Sequence, residues 1–302
     1  MATSEAIGVL GTGLEEVLRP RRRLMVGLGR TIRQNPLGFI GFMIVFTLAV
    51  AAIFAPLIAP YGISDLAAGQ PGENPSAAHP FGTDGFGRDM FSRVVHGARI
   101  SLAVSFLSVM GATALATVFG ILSGYVGGVL DSIIQRAVDT ALAFPLLLFL
   151  LILAQVLGPS FWTVVIAIGI GILFPVTRVV RGAVLSERNN QYVEAARALG
   201  ASTPRILFVH IAPNVTALAI IVATTLLGTA ILAEAALSFL GLGIPVPNPS
   251  WGTDVSLARN QFPVHLWWAF FPGAAISLTV LGFNLLGDSL RDIFDPRLRG
   301  RL

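Results

Sequence analysis

The sequence predicts an all-α, polytopic membrane protein with six transmembrane helices. Of its 302 residues, 54% are apolar and only 12% are charged, whereas a soluble domain carries about 25% charged residues. Six apolar stretches approach the roughly 20 residues that a helix needs to cross a bilayer. The predicted spans are Leu37–Ala59, Ile100–Gly124, Thr140–Leu157, Phe161–Thr177, Val215–Leu240 and Leu266–Leu286.

The residue types that the chain lacks exclude several classes of chemistry. Without Cys, it can form no disulfide, thiolate metal site or Cys nucleophile. It also has no Lys, since all 20 basic residues are Arg. A Walker A loop needs a Lys on the nucleotide phosphates, so this chain cannot be a Walker-type ATPase. The four His show no i,i+4 pairing, and we predict neither a metal site nor a catalytic residue.

The first apolar stretch follows a basic arm at residues 1–36, as the apolar region of a secretory signal peptide would. The apolar region of a signal peptide is shorter, however, and ends at a small-residue cleavage site. Here about 23 uncharged residues follow the arm, a length near that of a bilayer-spanning helix. This length favours a retained transmembrane helix.

The arginine distribution predicts the side of the membrane that each loop occupies. If the N-terminus is cytoplasmic, the inner segments carry 16 Arg and the outer segments carry 4, in agreement with the positive-inside rule. Both termini are then cytoplasmic, and the net charge of +4 needs no nucleic acid to explain it. We expect a cytoplasmic arm at 1–36, the first helix and an extracytoplasmic loop at 37–99, a core domain at 100–290 with a cytoplasmic loop at 191–214, and a cytoplasmic tail at 291–302.

The predicted inner loop contains a polar helical pattern, YVEAARALG, that begins at Tyr192. The i, i+3, i+4, i+7 spacing places four residues on one helix face, namely Tyr192, Ala195, Ala196 and Leu199. Asn190 suits the N-cap, and Gly200 suits the position after the helix, where φ is often positive. We expect a second short helix to begin near Ser202, before the fifth span.

Two roles are open for this short segment. An amphipathic helix can rest on lipid headgroups, or it can dock on another protein. The apolar face consists mostly of Ala, with only Tyr192 and Leu199 as larger side chains. Ala anchors weakly in lipid but lets another protein surface approach closely, so the sequence favours docking.

The stretches EAARALG and HIAPN resemble the EAA loop of ABC-transporter permeases. The family pattern is E-A-A, three residues, Gly, nine residues, and then I-x-L-P. The matching residues are Glu194, Ala195, Ala196, Gly200 and Pro213, while His210 and Ala212 replace the Ile and Leu. That replacement resembles the peptide-permease branch of the family. So do the stretches at 79–102, 234–252 and 282–300.

The resemblance implies a C-type permease subunit of a dipeptide, oligopeptide or nickel importer in the cell inner membrane. In that family the EAA loop is a coupling helix that docks on a separate ATP-binding subunit. The implied partners are a second permease subunit in a heterodimer, two ATP-binding subunits, an extracytoplasmic solute-binding protein and the lipid bilayer. This chain would bind no cofactor, with ATP and Mg held by the partner subunits.

Four further residues are candidates outside this loop. Glu234 is a carboxylate inside the fifth predicted span, where a charge is costly and often functional. It either lines the substrate pathway or a gate, or has a structural explanation, snorkelling or a hydrogen bond between helices. Asp84, Arg88 and Trp251 lie in the predicted outer loops. They either contact the solute-binding protein or form salt bridges and caps within the loops.

Two functions of other classes are weaker interpretations. An ion-coupled secondary transporter would carry several ionisable groups at mid-depth in broken helices, whereas only Glu234 lies clearly within a predicted span. A membrane enzyme would need paired carboxylates, a metal-ligand cluster or a nucleophile motif, and we find none in the spans. Nickel or another small solute stays open as the cargo, because selection in such importers often rests on the binding protein.

Overall fold

A computed structural model describes residues 35–63, 65–66, 68–261 and 264–294. Within these ranges the chain is helical, and its only β pairing is an isolated bridge between Thr83 and Asp89. The predicted all-α class is therefore confirmed. Most of the predicted arm at 1–36 and of the predicted tail at 291–302 lies outside the described residues.

Eleven α-helices follow one another in the described ranges. They are α1 (Pro36–Ile53), α2 (Ala55–Ile58), α3 (Met90–Val126), α4 (Gly128–Leu142), α5 (Leu146–Leu157), α6 (Phe161–Glu187), α7 (Gln191–Ala198), α8 (Thr203–Arg205), α9 (Ala212–Phe239), α10 (Trp251–Ala258) and α11 (Leu266–Phe294). A π-helical segment, Ile206–Ile211, joins α8 to α9, and a 3₁₀ turn, Arg259–Gln261, follows α10.

Five helical stretches are long and apolar enough to cross a membrane: Pro36–Ile53, Met90–Val126, Phe161–Glu187, Thr203–Phe239 and Leu266–Asp292. A sixth span exists only if α4 and α5, which meet at 95°, are counted together. Each of the five reaches the length that a bilayer demands. The chain is therefore a multi-pass membrane protein with five or six spans.

The third predicted span, Thr140–Leu157, is wrong as a single helix. The helix ends at Leu142 and a new one begins at Leu146. Pro145 explains the break, because it has no backbone N–H and its ring disfavours the α conformation at Phe144. Because the residues on both sides of Pro145 are apolar, the hydropathy pattern did not reveal the 95° bend between α4 and α5.

The second predicted span begins too late, because α3 starts at Met90 rather than at Ile100. The carboxylate of Asp89 accepts a hydrogen bond of 2.7 Å from the Ser92 backbone N–H and caps the helix. Arg93 lies in the first turn of α3, where its guanidinium pairs with Asp254. A buried ion pair thus lets the helix include residues that looked like part of a loop.

The fourth predicted span ends too early, because α6 continues from Thr177 to Glu187. Its two arginines in this extension pair with carboxylates of α4. Arg181 donates two hydrogen bonds of 2.6 Å to Asp131, and Arg178 pairs with Asp139. These pairs hold α4 along the last turns of α6.

The central contact of the bundle joins α3 to α6. A methyl group on Gly120 would lie 2.5 Å from the Val180 side chain, and one on Gly124 would lie 2.8 Å from that of Val184. The two glycines therefore permit close helix packing, as small residues do in membrane bundles. At one end of this pair lies α7, and at the opposite end α10 covers the start of α3. We call these the α7 end and the α10 end.

Candidate functional site

The candidate docking element is α7, and its structure agrees with the sequence pattern. The helix runs from Gln191 to Ala198 with Asn190 at the N-cap position, although the Asn190 side chain makes no capping hydrogen bond. Gly200 has a φ of +82°, which confirms the predicted left-handed residue. The N–H groups of Gly200 and Ala201 each donate a 3.0 Å hydrogen bond to carbonyls in the last turn of α7. This is the Schellman arrangement of a helix end.

One side of α7 packs on the bundle through Val193, which is fully buried. It belongs to the main apolar core, together with residues from α6, the π segment and α9: Val184, Ile206, Ile211 and Val215. Sequence reasoning missed Val193, because one apolar residue in a polar helix produces no periodicity. This residue fixes α7 to the membrane helices.

The predicted apolar face of α7 is left largely uncovered. Leu199 is 88% exposed and Tyr192 is 41% exposed, and Ala195 is exposed between them. Glu194 is also exposed. Leu199 and Ala195 are thus available for docking, whereas Tyr192 on the same face also contacts other residues of this chain.

A helix begins at Thr203 with Ser202 at the N-cap position, as predicted, but the prediction of a separate short helix is wrong. Thr203–Arg205 continues through the π segment into α9, and Thr203–Phe239 is one membrane-length helix. Pro213 lies in the first turn of α9, directly after the π turns. Proline lacks a backbone N–H for the helical ladder, and local π adjustments can satisfy the backbone groups that a proline frees in a membrane helix.

A polar network lies beside α7 and joins it to both flanking membrane helices. The Asn214 side-chain nitrogen donates to the Glu187 carboxylate at 3.0 Å, to the Tyr192 hydroxyl at 3.2 Å and to the His210 backbone carbonyl at 2.8 Å. The Tyr192 hydroxyl donates to the same Glu187 carboxylate. Partial burial, aided by the neighbouring Glu187 carboxylate, raises the pKa of Tyr192 above its usual range.

Glu234 lies at the contact between α3 and α9 and is fully buried. The Ser101 hydroxyl of α3 donates to its carboxylate at 3.0 Å, and the Ser238 hydroxyl donates at 2.8 Å. The described chain therefore shows Glu234 as an acceptor between helices, which is one of the two roles expected for it. A role in the substrate pathway or a gate stays a prediction.

Asp84, Arg88 and Trp251 all lie at the α10 end and are buried within the chain, Asp84 and Arg88 against each other and Trp251 against the start of α3. The Arg88 guanidinium donates to the Asp84 carboxylate at 2.6 Å. The Trp251 side chain is fully buried and donates from Nε1 to the Val94 carbonyl at 2.9 Å. These contacts hold the loops in shape. Contact of these three residues with a binding protein stays a prediction. Phe86, which lies between Asp84 and Arg88 in the sequence, is 62% exposed and is the accessible side chain of this loop.

Asp254 of α10 completes this buried charged group. Its carboxylate accepts from Nε of Arg93 at 2.9 Å, while Arg93 lies 4.0 Å from Asp84. Burial raises the pKa of Asp254, and the facing Arg93 guanidinium opposes that rise. Asp84, Arg88 and Asp254 also line, together with Phe86, a cavity of about 260 Å³. The ion pairs thus connect the loop before α3 with the loop that contains α10.

Two family profiles match the chain. Residues 116–300 match the binding-protein-dependent transport system inner membrane component. The chain belongs to this family. Residues 27–75 match the N-terminal TM domain of oligopeptide transport permease C. The first match contains α7 and its polar network, and the second contains α1 and α2.

Curated relatives of the family are similar to this chain over most of its length. The dipeptide transport system permease protein DppC of Alkalihalophilus pseudofirmus is 43% identical over 89% of both chains. The oligopeptide transport system permease protein OppC of Bacillus subtilis is 40% identical over 88% of both chains. DppC of Haemophilus influenzae is 38% identical over 88% of this chain and 92% of its own. As a member of the family, the chain is a membrane component that works with other parts of a transport system.

Proposed function

We propose that this chain is the non-catalytic transmembrane subunit of an ATP-driven importer of dipeptides and oligopeptides. Two relatives named for dipeptide and oligopeptide transport are 43% and 40% identical to this chain over 89% and 88% of its length. This similarity supports the substrate class. In the importer it would form one half of the translocation pathway, beside a second permease subunit. ATP and Mg would be bound by two separate ATP-binding subunits.

The observation that carries this proposal is the way α7 is attached to the bundle by one face and exposed on the other. Val193 anchors the helix in the core, while Leu199, Ala195 and Glu194 face away from the chain. A short helix with one anchored face and one uncovered face suits docking in a cleft of another protein. We therefore assign α7 and the Gly200 turn as the coupling helix that meets an ATP-binding subunit.

The proposed orientation places the α7 end in the cytoplasm and the α10 end outside, with both termini cytoplasmic. The Arg ratio of 16 to 4 supports it. The external face then carries the loop around Phe86 and the loop before Trp251. Both loops would meet an extracytoplasmic solute-binding protein, and the buried Asp84–Arg88 pair would keep the first loop in shape for that contact.

Transport by the assembled complex in proteoliposomes tests this function. The vesicles would contain this chain, its second permease and both ATP-binding subunits, with ATP inside and the cognate binding protein outside. We expect uptake of radiolabelled dipeptides to hexapeptides that requires ATP. Uptake of nickel but not peptides would contradict the substrate class. Uptake without ATP on a proton or sodium gradient would contradict the whole proposal and indicate a secondary transporter.

A further inference from the structure

The Asn214 side chain joins three helical elements, the end of α6, the start of α7 and the start of α9. Glu187 is the last residue of α6, Tyr192 is the second residue of α7, and Asn214 is the third residue of α9. The Asn214 amide reaches both of the others, and the Tyr192 hydroxyl donates to Glu187. The side-chain amide of Asn214 therefore ties the coupling helix to two membrane helices at once.

The network and the Val193 anchor act on different sides of α7. Tyr192 and Val193 are adjacent, so their side chains project about 100° apart around the helix axis. Val193 alone would hold α7 against the core but would leave it free to rotate about that contact. With Tyr192 held by Glu187 and Asn214, rotation is blocked as well.

The far end of α7 is more exposed than its first turn, although Ala201, directly after the Gly200 turn, packs against the core. A methyl group on Gly200 would meet no atom within 4 Å, and Leu199 is 88% exposed. The side-chain hydrogen bonds that α7 makes to α6 and α9 in the described residues thus lie at its first turn. A displacement imposed by a partner on the exposed Leu199 end would reach the bundle through these bonds and the Val193 contact.

We infer that Glu187, Tyr192 and Asn214 are positioning residues that form a coupling clamp, which transmits motion between α7 and the membrane helices α6 and α9. This inference rests on the proposed function, because it assigns the clamp a part in coupling ATP hydrolysis to transport. The Glu187 carboxylate is the common acceptor, and hydrogen bonds to an ionised group are the stronger kind. The His210 ring lies 5.9 Å from the Tyr192 ring and supports it from the π segment.

Three variants remove one member of the coupling clamp each, namely Asn214→Ala, Tyr192→Phe and Glu187→Ala. Glu187→Gln is the conservative variant, because its side-chain oxygen still accepts from Tyr192 and Asn214. Thr216→Val is the matched control. Thr216 is exposed and lies two residues beyond Asn214, and its hydroxyl donates to the Ala212 carbonyl of its own helix at 2.7 Å.

The measurement compares docking, hydrolysis and transport in the assembled complex. We expect the three clamp variants to co-purify with the ATP-binding subunits at wild-type stoichiometry and to keep the wild-type KM for ATP, because the ATP site lies in the partner. The number of substrate molecules transported per ATP hydrolysed should fall roughly fivefold, the scale of one lost hydrogen bond. Glu187→Gln should restore most of this ratio, and Thr216→Val should match the wild type.

The possible results distinguish a failure of the coupling clamp from a failure of the proposed function. If the wild-type complex transports peptides with ATP and the clamp variants keep the wild-type ratio, the clamp is overturned while the function stands. If Glu187→Gln is as impaired as Glu187→Ala, hydrogen-bond acceptance at this position is not what matters, and the clamp is again overturned. Failure of the wild-type chain to bind any ATP-binding subunit contradicts the proposed function itself.

Discussion

The Ser101 hydroxyl of α3 donates a 3.0 Å hydrogen bond to the buried carboxylate of Glu234 in α9. The two residues are 133 positions apart in the chain, so this contact fixes two membrane helices relative to each other near the α10 end. The backbone N–H of Trp251 lies 3.3 Å from the same hydroxyl. The contact thus also positions the start of α10.

Replacing Glu234 tests whether its charge or its hydrogen bonds matter. Glu234→Gln keeps an acceptor for one serine hydroxyl, so we expect near-normal abundance in the membrane. Glu234→Leu leaves the Ser101 and Ser238 hydroxyls buried without their partner, which costs about 1–3 kcal/mol for each unsatisfied group. The measurement is abundance and Tm in detergent, with the exposed Asp288→Asn as control. Reduced transport by a normally abundant Glu234→Gln protein would instead support a charge-dependent gate.

Gly200→Val tests the turn that ends α7. The open space around Gly200 admits a side chain, but its φ of +82° is strongly disfavoured for a β-branched residue. We therefore expect a re-aimed α7, near-normal abundance and weak co-purification of the ATP-binding subunits. Glu194→Arg, which reverses a charge on the exposed face, should share this result.

The matched control for that experiment is Gly182→Val in α6. A methyl group there also meets no atom within 4 Å, but Gly182 lies inside a helix with ordinary backbone angles. It should bind the ATP-binding subunits as the wild type does. Wild-type binding by Gly200→Val as well would show that the turn is not needed for docking and would favour a helix that rests on lipid.

The sequence predicted what depends on local chemistry. The Gly200 turn and the start of α6 at Phe161 follow from backbone preferences within a few residues. Contacts between distant residues could not be predicted in this way. Glu234 looked isolated because Ser101 is far away in sequence, and the charged first turn of α3 looked like a loop because the Arg93–Asp254 pair was not visible.

The proposed orientation is tested with single cysteines, which this Cys-free chain accepts without background labelling. Ser202 and Asn248 are exposed near opposite ends of the bundle. In sealed right-side-out cells, an impermeant thiol reagent should label Asn248→Cys and spare Ser202→Cys until the cells are opened. The fully buried Ser250 is unsuitable as a probe. Labelling of Ser202→Cys in intact cells would contradict both the orientation and the coupling-helix assignment.

The Arg93–Asp254 pair connects the first turn of α3 to α10, and both side chains are almost fully buried. Removing one partner leaves the other charge without its hydrogen-bonded counterpart, and Arg93 then keeps only the Asp84 carboxylate at 4.0 Å. Breaking a buried pair in this way costs about 3–5 kcal/mol. We expect Asp254→Ala and Arg93→Ala each to lower the Tm of the purified protein markedly.

A double variant tests whether the loss of Tm comes from leaving one buried charge without its partner. Apolar residues of similar volume can replace a buried pair at little cost, so Arg93→Met combined with Asp254→Leu should recover most of the lost Tm. The exposed, partly solvated Arg178–Asp139 pair provides the comparison, because such pairs contribute at most about 1 kcal/mol. Arg178→Met should therefore change the Tm little. A double variant as unstable as Asp254→Ala would show that the ion pair itself, rather than the avoidance of an unpaired charge, holds α10 against α3.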